Sequence, residues 1–142
     1  MLTSMLTPVL ALAVWTFVIF VWMYATRIPA MNKAGIVAGR IKRKSDLDAL
    51  PVSATQVADN YNHLHEQPTV FYALAIYSHL TGVADPLNVG MAWGYVALRV
   101  GHSLIQCTYN FVPHRFLVFV ASSIVLAVIA VRNVAHLFGW QG

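Results

Sequence analysis

Four residues in one stretch of the chain, Arg99, His102, Gln106 and Tyr109, stand three, four and three positions apart. On a helix that spacing places them on one face, as a stripe about 15 Å long at 1.5 Å per residue. The stretch is otherwise largely apolar. An arginine inside a membrane span costs several kcal/mol unless it faces the bundle interior, water or a partner. The stripe must therefore look inward. A structural hydrogen-bond network would account for a single such residue. Four polar residues on one face, an arginine among them, point to a functional site.

A second set lies upstream. Asn62 and Glu66 are four apart and Asn62 and His65 three apart, so both pairs share a helix face. Glu66 is the acid placed to pair with Arg99, and a Glu66–Arg99 bridge is the simplest expectation for both. The run His63-Leu64-His65-Glu66 does not read as a metal site. His63 and His65 would point to nearly opposite faces, and no HExxH pattern occurs. Cys107 is the single cysteine, so no intramolecular disulfide is available. His79 reads as a packed or interfacial histidine.

The elements that must position these residues follow from composition. Of the 142 residues, 58% are hydrophobic and 10% charged, against about 25% charged in an ordinary soluble domain. No charged residue precedes Arg27. These features place the chain in the membrane class, as one domain spanning residues 1–142. The net charge of +4 does not signal nucleic acid, because the basic residues border apolar segments.

Helices are expected at about 8–26, 56–84, 87–111 and 116–136, with a basic polar loop at about 27–55. The first is uncharged, about 19 residues long, and sufficient to cross a ~30 Å hydrocarbon core. A cleaved signal peptide would have a positive n-region and a shorter apolar core, so a retained helix is expected. Short connections imply an all-α, integral membrane up-down four-helix bundle. The loop after the first helix carries Arg27, Lys33, Arg40, Lys42, Arg43 and Lys44. By the positive-inside rule that loop faces the cytoplasm and both termini lie outside it. Brevity and the lack of further signals fit a bacterial inner membrane. Gly90 and Gly94 form a small-xxx-small spacing that permits close helix contact.

Three groups of residues carry a resemblance. The first is Gly39-Arg40-Ile41-Lys42-Arg43-Lys44, the second Asn62-His63-Leu64-His65-Glu66-Gln67-Pro68. The third is Arg99-Val100-Gly101-His102, followed sixteen positions after Arg99 by Arg115. In order, depth and topology they resemble the MAPEG family, membrane-associated proteins in eicosanoid and glutathione metabolism. The second group is similar to the family's Asn-x-x-Glu-x-x-Pro, with His65 at the usual Glu position and Glu66 one place later. The third is similar to the Arg-x-x-His and later catalytic Arg of prostaglandin E synthase-like members. Two positions depart: an arginine is replaced by Ala58 and a tyrosine by Gln106, with Tyr109 three residues further along the same face.

The resemblance implies a homotrimer in the bilayer, with glutathione as cosubstrate and a small lipophilic partner substrate. The implied activity is glutathione transferase or peroxidase chemistry on electrophiles or hydroperoxides. Arg115 and Tyr109 would take catalytic roles. Arg40, Asn62, His65, Glu66, Arg99, His102 and Gln106 would bind glutathione. Arginines suit its carboxylates, through a bidentate grip, and a guanidinium near its thiol favours thiolate. Two other classes compete. A small exporter of cationic drugs requires a carboxylate in the first helix, which is absent here. A non-catalytic member with a structural or ligand-binding role is the alternative favoured by Ala58 and Gln106.

Overall fold

The computed structural model describes residues 2–140 and is all-helical. Helix α1 runs Leu6–Ala34, α2 Val52–His63, α3 Gln67–Leu80, α4 Pro86–Cys107 and α5 Val112–Leu137. Two 3-10 turns, Ala38–Arg40 and Lys44–Leu47, lie between α1 and α2. Helices α1 and α5 are long and apolar enough to cross a membrane, and only 22% of each apolar window is buried. Their outward faces are large and apolar, with Phe17, Val21, Leu117 and Val131 exposed.

Helix α1 continues past Thr26, where the polar loop was expected to begin. Pro29 is accommodated within it. Ala30, Met31, Lys33 and Ala34 are good helix formers and prolong the helix. It stops at Gly35, whose φ of 69° allows the left-handed turn that closes a helix C-terminus. The Gly35 N–H donates to Asn32 O at 3.3 Å and Ile36 N–H to Met31 O at 3.0 Å. The expected basic loop therefore begins as helix. Further on, the Asp46 carboxylate accepts from the backbone N–H groups of Lys42 and Arg43, at 2.9 and 3.1 Å. Those donors hold its carboxyl below the ordinary carboxylate range. The turn at Lys44–Leu47 thus gains order above the usual carboxylate pKa and loses it as pH falls through the depressed value.

The single helix expected over 56–84 is two. Pro68 has no N–H to donate to Leu64 O, and its ring would clash with that carbonyl, so the helix breaks one turn earlier. The chain tightens through His65 N–H to Asn62 O at 3.0 Å and Glu66 N–H to His63 O at 3.2 Å. Glu66 takes φ −97° and ψ −99°, and α3 restarts with the proline in its first turn. The break destroys the expected Asn62–Glu66 and Asn62–His65 alignment on one face.

Helix α4 is central. Phe71 of α3 stacks on its Tyr95 with centroids 4.5 Å apart, both rings fully buried. Leu12 and Ile19 of α1, Val57 of α2 and Leu126 of α5 complete the same core. At the start of α4, the Asp85 carboxylate accepts from Asn88 N–H at 2.8 Å, and Pro86 sits in the first turn. Arg132 of α5 pairs with Asp85, and its Nε donates to Asn88 Oδ1 at 2.7 Å. Asp85→Ala removes the cap and the Arg132 contact together. It should lower unfolding stability in detergent by about 1–2 kcal/mol, read by thermal denaturation.

Helix α4 ends at Cys107, four residues before the expected 111. Thr108 takes ψ −103° and Asn110 the left-handed φ of 49°. This turn feeds Pro113 into the first turn of α5. Tyr109 lies beyond the helix and off the α4 stripe.

Candidate functional site

The break between α2 and α3, the second half of α4 and the first three turns of α5 border a half-open cavity of about 290 Å³. Arg99 and His102 reach it from α4, Arg115 from α5, and His63, Glu66 and Gln67 from the α2–α3 junction. Val112, Phe116 and Phe119 form an apolar side. One wall is therefore cationic and polar and the other is hydrocarbon.

Arg99 is 1% exposed and His102 4%. Arg99 Nη2 points to the His63 carbonyl at 3.5 Å. Arg99 Nε, His102 Nδ1 and Ser103 Oγ are buried with no protein partner among the described residues. The Glu66–Arg99 bridge expected from the sequence is not formed. Among the described residues the ion pair is Arg132–Asp85, at the opposite end of α4. Glu66 is exposed at the cavity rim instead. A buried guanidinium with unused donors is costly without a ligand.

Arg115 is held from below. Its Nη1 donates to Asn110 Oδ1 at 2.7 Å. The Asn110 N–H donates to Ile105 O at 2.7 Å. Asparagine is one of the few residues that adopt left-handed backbone readily. Asn110→Leu should cost about 1–2 kcal/mol through backbone strain. Asn110→Gly should keep the turn and lose only the Arg115 contact. Chemical denaturation of both variants separates the two contributions.

Gln67 ties three helices together. Its Oε1 accepts from Tyr95 OH at 3.2 Å and its Nε2 donates to Ser123 Oγ at 2.8 Å.

Five expected site residues lie elsewhere within the subunit. Gln106 is buried in a closed set: its Oε1 accepts from Asn60 Nδ2 at 2.9 Å and lies 3.2 Å from His63 Nδ1. Asn62 is half-buried and does not line the cavity. His65 faces away, with its ring against Tyr61 at 4.6 Å and its Nδ1 at 2.9 Å from Tyr61 O. It borders a separate apolar groove with Phe17, Phe20 and Tyr72. Tyr109 is 61% exposed and its OH lies 3.2 Å from His114 Nδ1. Arg40 is exposed on its 3-10 turn and does not line the cavity. Ala58 lines another groove, among Arg27, Lys44, Asp48 and Asp59.

Besides the apolar side, three polar residues of the site, His63, Gln67 and Asn110, fall outside the set expected from the sequence. His63 stands two positions from His65 and so on the other helix face, which is the signal that separates the two. Gln67 precedes the proline that breaks the helix. Asn110 carries the signal of an asparagine shortly before a proline, a turn signature.

The family model described as "MAPEG family" matches residues 5–135. No curated protein and no solved structure matches the chain.

Proposed function

The chain belongs to the MAPEG family, and from that premise we propose that it is a membrane-bound glutathione-dependent transferase or peroxidase acting on lipophilic electrophiles or hydroperoxides. Family membership and the two long apolar helices make it an integral membrane protein. The family is associated with glutathione chemistry at a coarse level. The observation that carries this reading is Arg99: fully buried, with no carboxylate in salt-bridge contact among the described residues, and lining a cavity that Arg115 enters from the neighbouring helix.

The residues fit a small peptide with two carboxylates, an amine and a thiol. Arg99 and His102 supply donors for a carboxylate, and the buried, unused Arg99 Nε is poised for a second hydrogen bond. Glu66 at the rim suits the ammonium. Arg115, braced by Asn110, provides positive charge beside the thiol and stabilises its thiolate. The Val112, Phe116 and Phe119 side admits a lipophilic partner from the bilayer. The thiolate then attacks the electrophilic atom.

In this reading the chain spans the membrane four times, as α1, the α2–α3 pair, α4 and α5. The site lies at the cytoplasmic end and both termini lie on the other side, in a bacterial inner membrane. The functional unit is a homotrimer in which Arg40 serves a neighbouring subunit's cavity. Open space at Gly90 and Gly94, and the exposed apolar faces of α1 and α5, support close approach by another subunit.

A non-catalytic, ligand-binding role is the second reading. It is favoured by Gln106, which lies sequestered among Asn60 and His63 at the position where the family carries a tyrosine hydroxyl. Conjugation of glutathione to a general electrophile separates the two. Turnover that falls with both Arg99→Ala and Arg115→Ala supports the enzyme. Glutathione binding with no turnover in the parent protein supports the second reading. Neither binding nor turnover overturns both.

A further inference from the structure

We propose that His63 is the proton acceptor for the thiol, held in the required tautomer by Gln106; the assignment rests on the glutathione reading above. Gln106 Oε1 is an acceptor only. It receives the Asn60 Nδ2–H at 2.9 Å and faces His63 Nδ1 at 3.2 Å. With the Gln106 oxygen on that side, His63 Nδ1 carries the hydrogen and donates it. In the neutral ring the lone pair then sits on Nε2. Orientation of one ring nitrogen by a fixed partner on the other is the usual way a protein defines a working imidazole.

The position of His63 suits the role. It is half-buried at the end of α2, on the wall of the cavity. It ends α2 on the face that Asn60, three positions earlier, also presents to Gln106 of α4, and its own carbonyl receives Arg99. His102 is the other imidazole, 6.3 Å away between ring centroids, but it is almost wholly buried and its Nδ1 has no partner to fix a tautomer. The charged and titratable groups that share the cavity with His63 are Arg99 and His102 from α4, Arg115 from α5 and Glu66 from the junction. Both guanidinium groups favour the thiolate product of the transfer.

The step balances within the site. The S–H bond breaks and an Nε2–H bond forms, giving thiolate and imidazolium. The sulfur pair then forms a bond to the electrophilic carbon as the leaving group departs with its own pair. The imidazolium proton passes to that leaving group or to water. Gln106 is a positioning residue here. It stands where the family carries a tyrosine, and it acts through His63 instead of through a hydroxyl of its own.

Two measurements test the assignment. In the parent protein, glutathione binding is followed by calorimetry in buffers of different ionisation enthalpy, beside the ultraviolet absorbance of thiolate. Thiolate formation with no proton delivered to buffer is expected, because His63 keeps it. A full proton released per thiolate formed overturns the proposal. In His63→Asn, the amide N–H still reaches Gln106 but no base remains. Glutathione affinity should stay within about threefold. Conjugation near neutral pH should fall about a hundredfold, with the deficit closing at alkaline pH where the thiol ionises unaided. An unchanged rate, or a deficit equal at every pH, overturns the proposal while leaving the glutathione reading intact. Absence of glutathione binding in the parent protein overturns both.

Discussion

Arg99→Met should weaken glutathione binding by at least about a hundredfold, close to 2.7 kcal/mol, while leaving the folded protein as stable as its parent or more so. The two halves of this expectation have one cause. Arg99 is 1% exposed, makes no salt bridge among the described residues and has one long hydrogen bond of 3.5 Å. A methionine fills similar volume without a charge to desolvate. Replacing buried charges by apolar residues of similar size is often neutral or stabilising, and the shift here should lie between zero and about 2 kcal/mol. Hydrogen bonds to charged groups are worth about 1.5–3 kcal/mol each, so losing the guanidinium's grip on a carboxylate accounts for the binding loss. A purely structural arginine would behave in the opposite way, with stability lost and binding unaffected. Thermal unfolding and ligand titration on the same detergent-solubilised sample distinguish them.

Arg115→Ala should lower kcat by about 10²–10³ with a much smaller change in KM, as expected where preorganised charge is removed from a developing anion. Arg115 borders the cavity from the first turns of α5 and is braced by Asn110 at 2.7 Å. Its side chain is therefore aimed before any ligand arrives. Arg115→Lys should recover part of the loss, since charge is retained and the fork is not. A rise in KM alone, with kcat unchanged, would assign Arg115 to uniform binding and remove it from the chemical step.

The residues that periodicity governs were legible before the fold. Arg99, His102 and Gln106 repeat at helical spacing and are all buried on α4. The uncharged first segment announces α1. The residues that departed did so where the backbone leaves the helix. Tyr109 continues the stripe only if the helix continues, and the left-handed Asn110 ends that possibility. Asn62, His65 and Glu66 share a face only on an unbroken helix. Pro68 breaks it after His63, and His65 then lies on the α1 side while Glu66 reaches the cavity rim. The absent Glu66–Arg99 bridge has a different origin. Equal depth in a bilayer fixes one coordinate of a pair, whereas side-chain direction depends on the helix rotation that packing decides. Gln106 shows the same limit: its position on the stripe was readable, but its partners Asn60 and His63 on α2 were not.

Arg99, buried with an unused Nε donor and no salt bridge among the described residues, is there to receive an anionic peptide. Calorimetric titration of glutathione sulfonate into the detergent-solubilised protein tests it most directly, with Arg99→Met in parallel. Saturable binding in the parent protein is predicted, with a stabilisation of about 2.7 kcal/mol at a hundredfold excess over Kd. Arg99→Met should show neither the binding heat nor the stabilisation. Equal binding by the two proteins, or none by the parent, would contradict the account.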